Sequence, residues 1–398
     1  MNLTTNSQNQ FTSRNLVLGV QFLFVAFGAT VLVPLLVGID PAVALFTAGV
    51  GTLVFHLITK GMVPVFLGSS FAFIAPIVES TRLYGLPGTF SGIIAVGLVY
   101  GLVSFLIKMR GLSFIQRLFP PIVVGPVIMI IGLSLAGVAV NMAKTNWPIA
   151  SVSLATAIVV VVFTKGLIKL IPIFIGIIVG YVTSLAFGMI DFTPIKEAVW
   201  IGLPAFTAPQ FSWQAILYLL PVAVAPIIEH VGDMYAIGGV AEKNFVENPG
   251  LHRTLLGDGI ATSIAGCFGS VPNTTYSEVT GAISLTKVTN PFILRIAAVT
   301  AIVFSLIGKI SGILKTIPQA VLGGIMLLLF GLIASVGIKS LLDSKTDMTH
   351  TRSQVIVSII LTVGIGGAIL SWGNFSLAGI GLAAVVGIVL NLVLPQEK

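Results

Sequence analysis

The sequence predicts an all-α polytopic membrane protein with fourteen transmembrane segments in two inverted repeats of seven, and three observations carry that prediction. Only 8% of the 398 residues are charged and 56% are hydrophobic, against roughly 25% charged in soluble domains; the mean hydropathy is +1.09. Apolar runs recur along the whole chain, and at about 20 residues per spanning helix fourteen spans use about 280 residues and leave short loops. Two of these runs are short and open with polar or backbone-flexible residues, GSSFAF from Gly68 and GSVPNTTYSE from Gly269, 201 positions apart.

Taken in order, hydropathy over windows of about 19 residues places spans near 16–37, 42–59, 65–79, 88–107, 119–140, 149–164 and 167–188. After a polar break come 213–238, 253–268, 272–286, 291–308, 317–335, 354–371 and 376–394. The leading run MNLTTNSQNQFTS, residues 1–13, has no basic region or small-residue cleavage site and is expected to be a disordered cytoplasmic tail. The third and tenth spans are interrupted, which at membrane depth requires burial in protein or a cavity wall. A second pair of similar runs, FPPIVVGPVIMIIGL from Phe119 and TIPQAVLGGIMLLLFGL from Thr316, repeats at nearly the same offset. Halves with an odd number of spans enter the membrane from opposite sides, and paired broken spans point to a binding site between repeats.

Charge placement orients the chain. With both termini inside, fifteen of the twenty Lys and Arg fall in the cytoplasm and only Arg82, Lys144, Lys196, Lys309 and Lys315 fall outside, as the positive-inside rule requires. The net charge of +7 therefore reports topology; the basic residues form no patch with interleaved aromatics, which argues against nucleic acid. One cysteine, Cys267, excludes a disulfide framework and is expected as a small buried hydrophobe.

Most acids sit in expected loops or, like Glu79, at the very end of a span, but four lie inside spans: Glu229 and Asp233 in the eighth span, Asp258 in the ninth and Glu278 in the broken tenth. A charge at bilayer depth costs about 2.5–3.5 kcal/mol, so such residues usually mark a pathway. Glu229 and Asp233, four apart, share a helix face, and Glu278 meets it if the eighth and tenth spans are neighbours. Carboxylates held that close do not all ionise cheaply, which gives a way to couple a proton. Asp258 has two open readings, direct coupling or bonding of the broken tenth segment. Amides at the start of two half-helices would add donors to these acceptors, a pattern suited to a flat cyclic amide with adjacent N–H and C=O. Phe71 and Tyr276 are expected either to add aromatic surface there or to pack.

His230, one position past Glu229, is turned off that face and expected as a satisfied packing residue; His56, beside Lys60, is expected at the interface. His252 and His350 fall in expected loops, and no metal constellation is expected. No GxxxxGK[ST] loop occurs, no cofactor is implied, and no nucleophile–base pair suggests an enzyme.

At GSSFAF, IIEHVGD, NPGLHR and GSVPNTTYSEVTGAISLTK the chain resembles the nucleobase:cation symporter-2 family, also called nucleobase–ascorbate transporters, and within it the bacterial uracil permeases. The resemblance implies short antiparallel strands in segments 3 and 10, a core domain at 14–110 and 206–312 and a gate domain at 111–205 and 313–398. It implies a homodimer in the bacterial inner membrane, working by an elevator movement. It assigns substrate contacts to Glu229 and Glu278, to the backbone of Phe71 and to the backbone of Ser277, and matches Asp258 to an acid in segment 9. The expected function is proton-coupled uptake of uracil, with Glu229, Asp233 and Asp258 around the proton. Departures remain: Asp233 stands where one uracil branch has His and several purine transporters have Asp, Val279 replaces a signature Asn, Phe330 replaces a site Tyr, and Phe22 follows Gln21 where many members have His. A xanthine or urate symporter is the alternative, and an anion transporter on the same fold is disfavoured by four buried acids without a buried cation.

Overall fold

The structure, a computed structural model, describes residues 12–111, 113, 119–166, 168–344, 346–372 and 375–395. Most of the expected tail, and Arg117, Lys345 and Lys398 of the charge count, lie outside the described residues. Thr12 ends the tail by accepting Asn15 N–H at 3.2 Å as the N-cap of α1, Ser13–Val37. Next come α2 (Pro41–Ile58), strand β1 (Leu67–Ser69), a single 3₁₀ turn (Phe71–Phe73), α3 (Ile74–Tyr84) and α4 (Leu86–Arg110). The first half closes with α5 (Pro121–Ser134), α6 (Ala136–Ala143), α7 (Trp147–Phe163), α8 (Pro172–Ala186) and the short α9 (Thr193–Glu197).

The eighth segment joins α10 (Trp213–Leu219), a 3₁₀ turn (Leu220–Ala223) and α11 (Val224–Ala241), and α12 spans Leu251–Cys267. Strand β2 (Asn273–Thr275) leads into α13 (Ser277–Thr286), followed by α14 (Pro291–Ser305), α15 (Gly308–Lys315), α16 (Gln319–Asp343) and α17 (Thr351–Ile365). Strands β3 (Ile369–Trp372) and β4 (Phe375–Ala378) form an antiparallel hairpin before α18 (Gly379–Val393).

Among the described residues, six helical stretches are long and apolar enough to cross a membrane, and α14 with α15, bent by 81°, makes up to seven. Four shorter apolar helices, α7, α8, α17 and α18, accompany them. This makes the chain a multi-pass membrane protein. The third and tenth expected spans are not full helices: α3 and α13 have 11 and 10 residues, and β1 and β2 precede them. These strands pair antiparallel, Leu67 with Thr275, Gly68 with Thr274 and Ser69 with Asn273, so each satisfies the other's backbone where no lipid-facing helix could. Elsewhere the structure departs from the expected spans. The eleventh ends at Ser305 and turns into α15, and residues expected at the ends of spans thirteen and fourteen form the β3–β4 hairpin. The hairpin pairs Ile369 with Ala378 and Trp372 with Phe375, and strands this short are overlooked by hydropathy windows.

Helix packing falls into two groups. In one, α12 lies on α4 and α2, and α14 on α2 and α1; in the other, α16 lies on α5, α6 and α7, and α17 on α5 and α18. At the α4–α12 crossing a Cβ on Gly97 would strike the Gly259 carbonyl, and one on Gly259 would strike Gly97 and Tyr100. Small residues there let the backbones approach, which is how helices associate when lipid removes the hydrophobic drive.

Candidate functional site

The strand pair sets two half-helices beginning within one small volume. Around β2 the hydrogen bonds are dense. Asn273 donates to Thr47 O at 3.1 Å and Ala261 O at 3.3 Å, and Thr262 donates to Asn273 O at 3.0 Å. Tyr276 donates to Ser69 O at 3.0 Å and accepts from Thr30 at 3.3 Å, while Ser69 donates to Thr30 O at 2.9 Å. Its hydroxyl therefore ties the tenth segment to β1 and α1, and Gly68 is required beneath its ring, where a Cβ would collide.

The expected site residues separate by depth. Glu229 on α11, Glu278 in the first turn of α13 and Phe71 in the 3₁₀ turn are half-buried, and Ser277 is exposed. Helices α11 and α13 pack together, and Glu229 lies within electrostatic reach of Asp233, Asp258 and Glu278. Beside the two glutamates, Gly232 has open space around its Cβ position and Gly281 nearly so, so no side chain packs closely against either glycine. First-turn amides of a helix have no intrahelical acceptor. The starts of the Phe71 turn and of α13 thus present donors beside two carboxylates.

Asp233 is buried and fully engaged: Oδ2 accepts from Thr275 at 2.6 Å and Oδ1 from Ser277 at 2.7 Å. It clamps the two residues flanking Tyr276. Asp258 lies deeper, wholly buried, with His230 Nδ1 3.0 Å from its Oδ2. It does not bond the tenth segment; Thr262, one turn further on, takes that place through Asn273. A cavity of about 410 Å³ lies elsewhere, bordered by Gly38, Asp40, Thr207, Gly269 and Lys315. None of the expected site residues lines it.

Three sequence expectations are corrected. His56 is buried rather than interfacial; Arg295 Nε donates to its Nδ1 at 3.3 Å, so Nε2 carries the proton donated to Val65 O at 2.9 Å. The reason is that the loop after α2 must return to β1, and its free carbonyl needs a donor. His230 is buried as expected, but it is not satisfied: neither ring nitrogen has a well-aligned hydrogen bond among the described residues. Cys267, expected inside, is exposed because it ends α12. Sequence reasoning also missed Thr275, Asn273, Thr30 and Tyr100; the β-branched NTT run was the one available sign of a strand. Among the described residues no group of three or more His, Cys, Asp or Glu could hold a metal ion.

Comparison with known proteins gives the site its context. The chain is 51% identical to a probable uracil permease of Haemophilus influenzae over 98% of its length and 97% of the relative's. It is 43% identical to the uracil permease of Bacillus subtilis (95% and 92% covered) and 41% to that of Escherichia coli K12 (94% and 90% covered). Its fold is similar to the transmembrane domain of the cyanobacterial bicarbonate transporter BicA, with TM-score 0.66, 16% identity and 96% and 99% of the two chains covered. It is similar also to murine Solute Carrier 26 family member A9, with TM-score 0.71, 12% identity and 95% and 67% covered. At these identities the structures bear on fold alone. The xanthine/uracil permease family, described as the permease family, matches residues 13–371. The chain belongs to this family of transporters, the nucleobase:cation symporter-2 family.

Proposed function

We propose that this chain is a proton-coupled symporter that takes up uracil. The observation that carries the reading is the pairing of Glu229 and Glu278 on two packed helices, beside the starts of two half-helices. Carboxylates accept the ring N–H groups and backbone amides at Phe71 and Ser277 donate to the ring carbonyls, so a neutral cyclic imide is held by both of its edges. Tyr276 closes the apolar side. The relatives named as uracil permeases support the choice of base.

The coupling proton enters at Glu229, and Asp233 and Asp258 are acids within its electrostatic reach. Moving one charge through about 100 mV contributes about 2.3 kcal/mol, so one proton concentrates a neutral base roughly fiftyfold. The two packing groups support a core domain (14–110 and 206–312) that carries the site past a gate domain (111–205 and 313–398), in an elevator movement. They support in turn a reading as fourteen segments in two inverted repeats, two of them half-helical. A homodimer in the inner membrane with both termini cytoplasmic completes the proposal.

Uptake of labelled uracil by proteoliposomes tests it, first under an inward proton gradient, then under an inward sodium gradient, with unlabelled thymine and xanthine as competitors. Accumulation driven by protons and blocked by excess uracil is expected. Uptake of xanthine in place of uracil would show that Asp233 and Phe330 mark a purine site, and sodium-driven accumulation would overturn the proton.

A further inference from the structure

Two buried carboxylates are treated in opposite ways. Asp233 accepts a short hydroxyl hydrogen bond on each oxygen, from Thr275 and from Ser277. Asp258 receives no well-aligned hydrogen bond on either oxygen among the described residues. Its neighbour His230 approaches to 3.0 Å through Nδ1, off the donor direction, and His230 Nε2 is also without a partner. Tyr100 completes the group from α4: it is wholly buried, its hydroxyl has no partner among the described residues, and it packs against α12 at Gly259, next to Asp258. Phe55 of α2 covers the His230 ring edge-on at 6.3 Å. Three buried polar side chains from three helices, His230 in contact with Asp258 and Tyr100 within electrostatic reach of it, thus keep open hydrogen-bonding capacity among the described residues, which native interiors fill with ordered water or a bound species.

We propose that Tyr100, His230 and Asp258 form a buried proton store that holds the coupling proton with an ordered water, while Asp233 is a positioning residue for the tenth segment. The proposal rests on the proton-symport reading above. A neutral imidazole beside a protonated carboxyl is uncharged overall and holds one proton more than the bare pair, whose net charge is −1. A low-dielectric pocket favours the uncharged state. Glu229, the residue before His230 and within electrostatic reach of Asp258, supplies the path. Its carboxyl gives a proton to the water, and the water gives one to Asp258. One O–H bond breaks and one O–H bond forms in net, and Glu229 is left as the carboxylate that accepts a substrate N–H.

Other titratable groups on the packed elements do not compete for this role. Asp233 is bonded by its two hydroxyls, Tyr276 by Ser69 and Thr30, and His56 by Val65 and Arg295. Glu278 lies half-buried in the first turn of α13, and Lys108, Arg110, His252 and Arg253 lie nearer the ends of α4 and α12.

The test uses the full chain in proteoliposomes with three readouts: uracil counterflow, uracil-evoked proton entry reported by a trapped pH dye, and, without substrate, the infrared stretch of a protonated carboxyl on stepping from alkaline to acidic buffer. Asp258→Asn is expected to lose that band and at least tenfold of the proton entry, with counterflow falling far less. Asp233→Ala is expected to keep the band and the proton-to-uracil ratio while raising the uracil half-saturation about tenfold, as loss of a charged hydrogen bond does, with partial rescue by Asp233→Asn. Tyr100→Phe removes one hydroxyl and should shift the band, which keeps the proposal testable if Asp258→Asn does not fold. Coupled uptake and an unchanged band in Asp258→Asn, or loss of the band in Asp233→Ala, overturns it; so does an unshifted band in Tyr100→Phe. An Asp258-dependent band in a chain that moves no proton with uracil sinks the transport reading and leaves the store standing.

Discussion

The two broken segments share a backbone plan and differ in chemistry. Each begins with a three-residue strand, each pairs with the other, and each continues as a half-helix. The third enters through a 3₁₀ turn, FAF, with no acid in its first turn, and is held by neutral bonds: Thr52 Oγ1 accepts Leu67 N–H at 2.8 Å, and Ser69 donates to Thr30 O. The tenth enters at once into α13 with Glu278 in the first turn, and is clamped by the carboxylate of Asp233 and by the Asn273 amide. Duplicated backbone geometry thus supplies two helix starts, whereas the charged recognition comes from one of them. The third segment offers shape and amides; the tenth offers the group that distinguishes one ligand from another.

The sharpest way to break this comparison is to remove the acid. Glu278→Gln should raise the uracil half-saturation by about 10- to 100-fold, since a lost charged hydrogen bond is worth about 1.5–3 kcal/mol; Glu229→Gln should chiefly flatten the pH dependence of uptake. Unchanged uptake profiles in both variants would place recognition elsewhere. Next comes the shared crossing. Gly68→Ala puts a Cβ into the Tyr276 ring, and overpacking of this kind costs about 1–3 kcal/mol, read as a lower melting temperature in detergent. The paired position already holds Thr274, so Thr274→Ala should change melting far less, and equal effects would contradict the asymmetry. Tyr276→Phe removes the hydroxyl link between the segments at a cost of about 1 kcal/mol, measurable by the same melt.

The smallest effect lies outside both segments, where Asp40 caps α2. Burial pushes its carboxyl up, but hydrogen bonds from Lys315 at 2.6 Å, Ser311 at 2.6 Å and the Ala42 N–H at 2.9 Å outweigh it, and the group titrates below the ordinary value of 3.8. A depressed acid stabilises the fold above its unfolded pKa and loses that contribution as pH falls through the lower, folded value. Asp40→Asn should therefore cost up to about 1 kcal/mol at neutral pH, less in high salt because Lys315 is half-exposed, and nothing in strong acid; a penalty that persists in strong acid would contradict the ion pair.

How much of this was legible in the chain depends on range. Charge poverty and apolar run length are local, so membrane spanning and most span positions follow from the sequence. Glu229, Asp233, Asp258 and Glu278 stood out because ionisable residues at bilayer depth are costly. Their partners did not, since Thr275 and Ser277 meet Asp233 across 42 and 44 positions, and Ser and Thr in a membrane helix usually bond their own backbone. His230 and Asp258 were each visible, but their contact depends on how α11 packs on α12, which no spacing rule encodes.

The sequence by itself determined that the chain lives in a bilayer, where its broken segments lie and which acids are out of place, because the cost of burying a charge or an unpaired amide is paid residue by residue. Only the tertiary structure decided which acid is clamped and which is left open. Hydrogen-bond satisfaction is a property of pairs of atoms, and here the pairs join helices far apart in the chain.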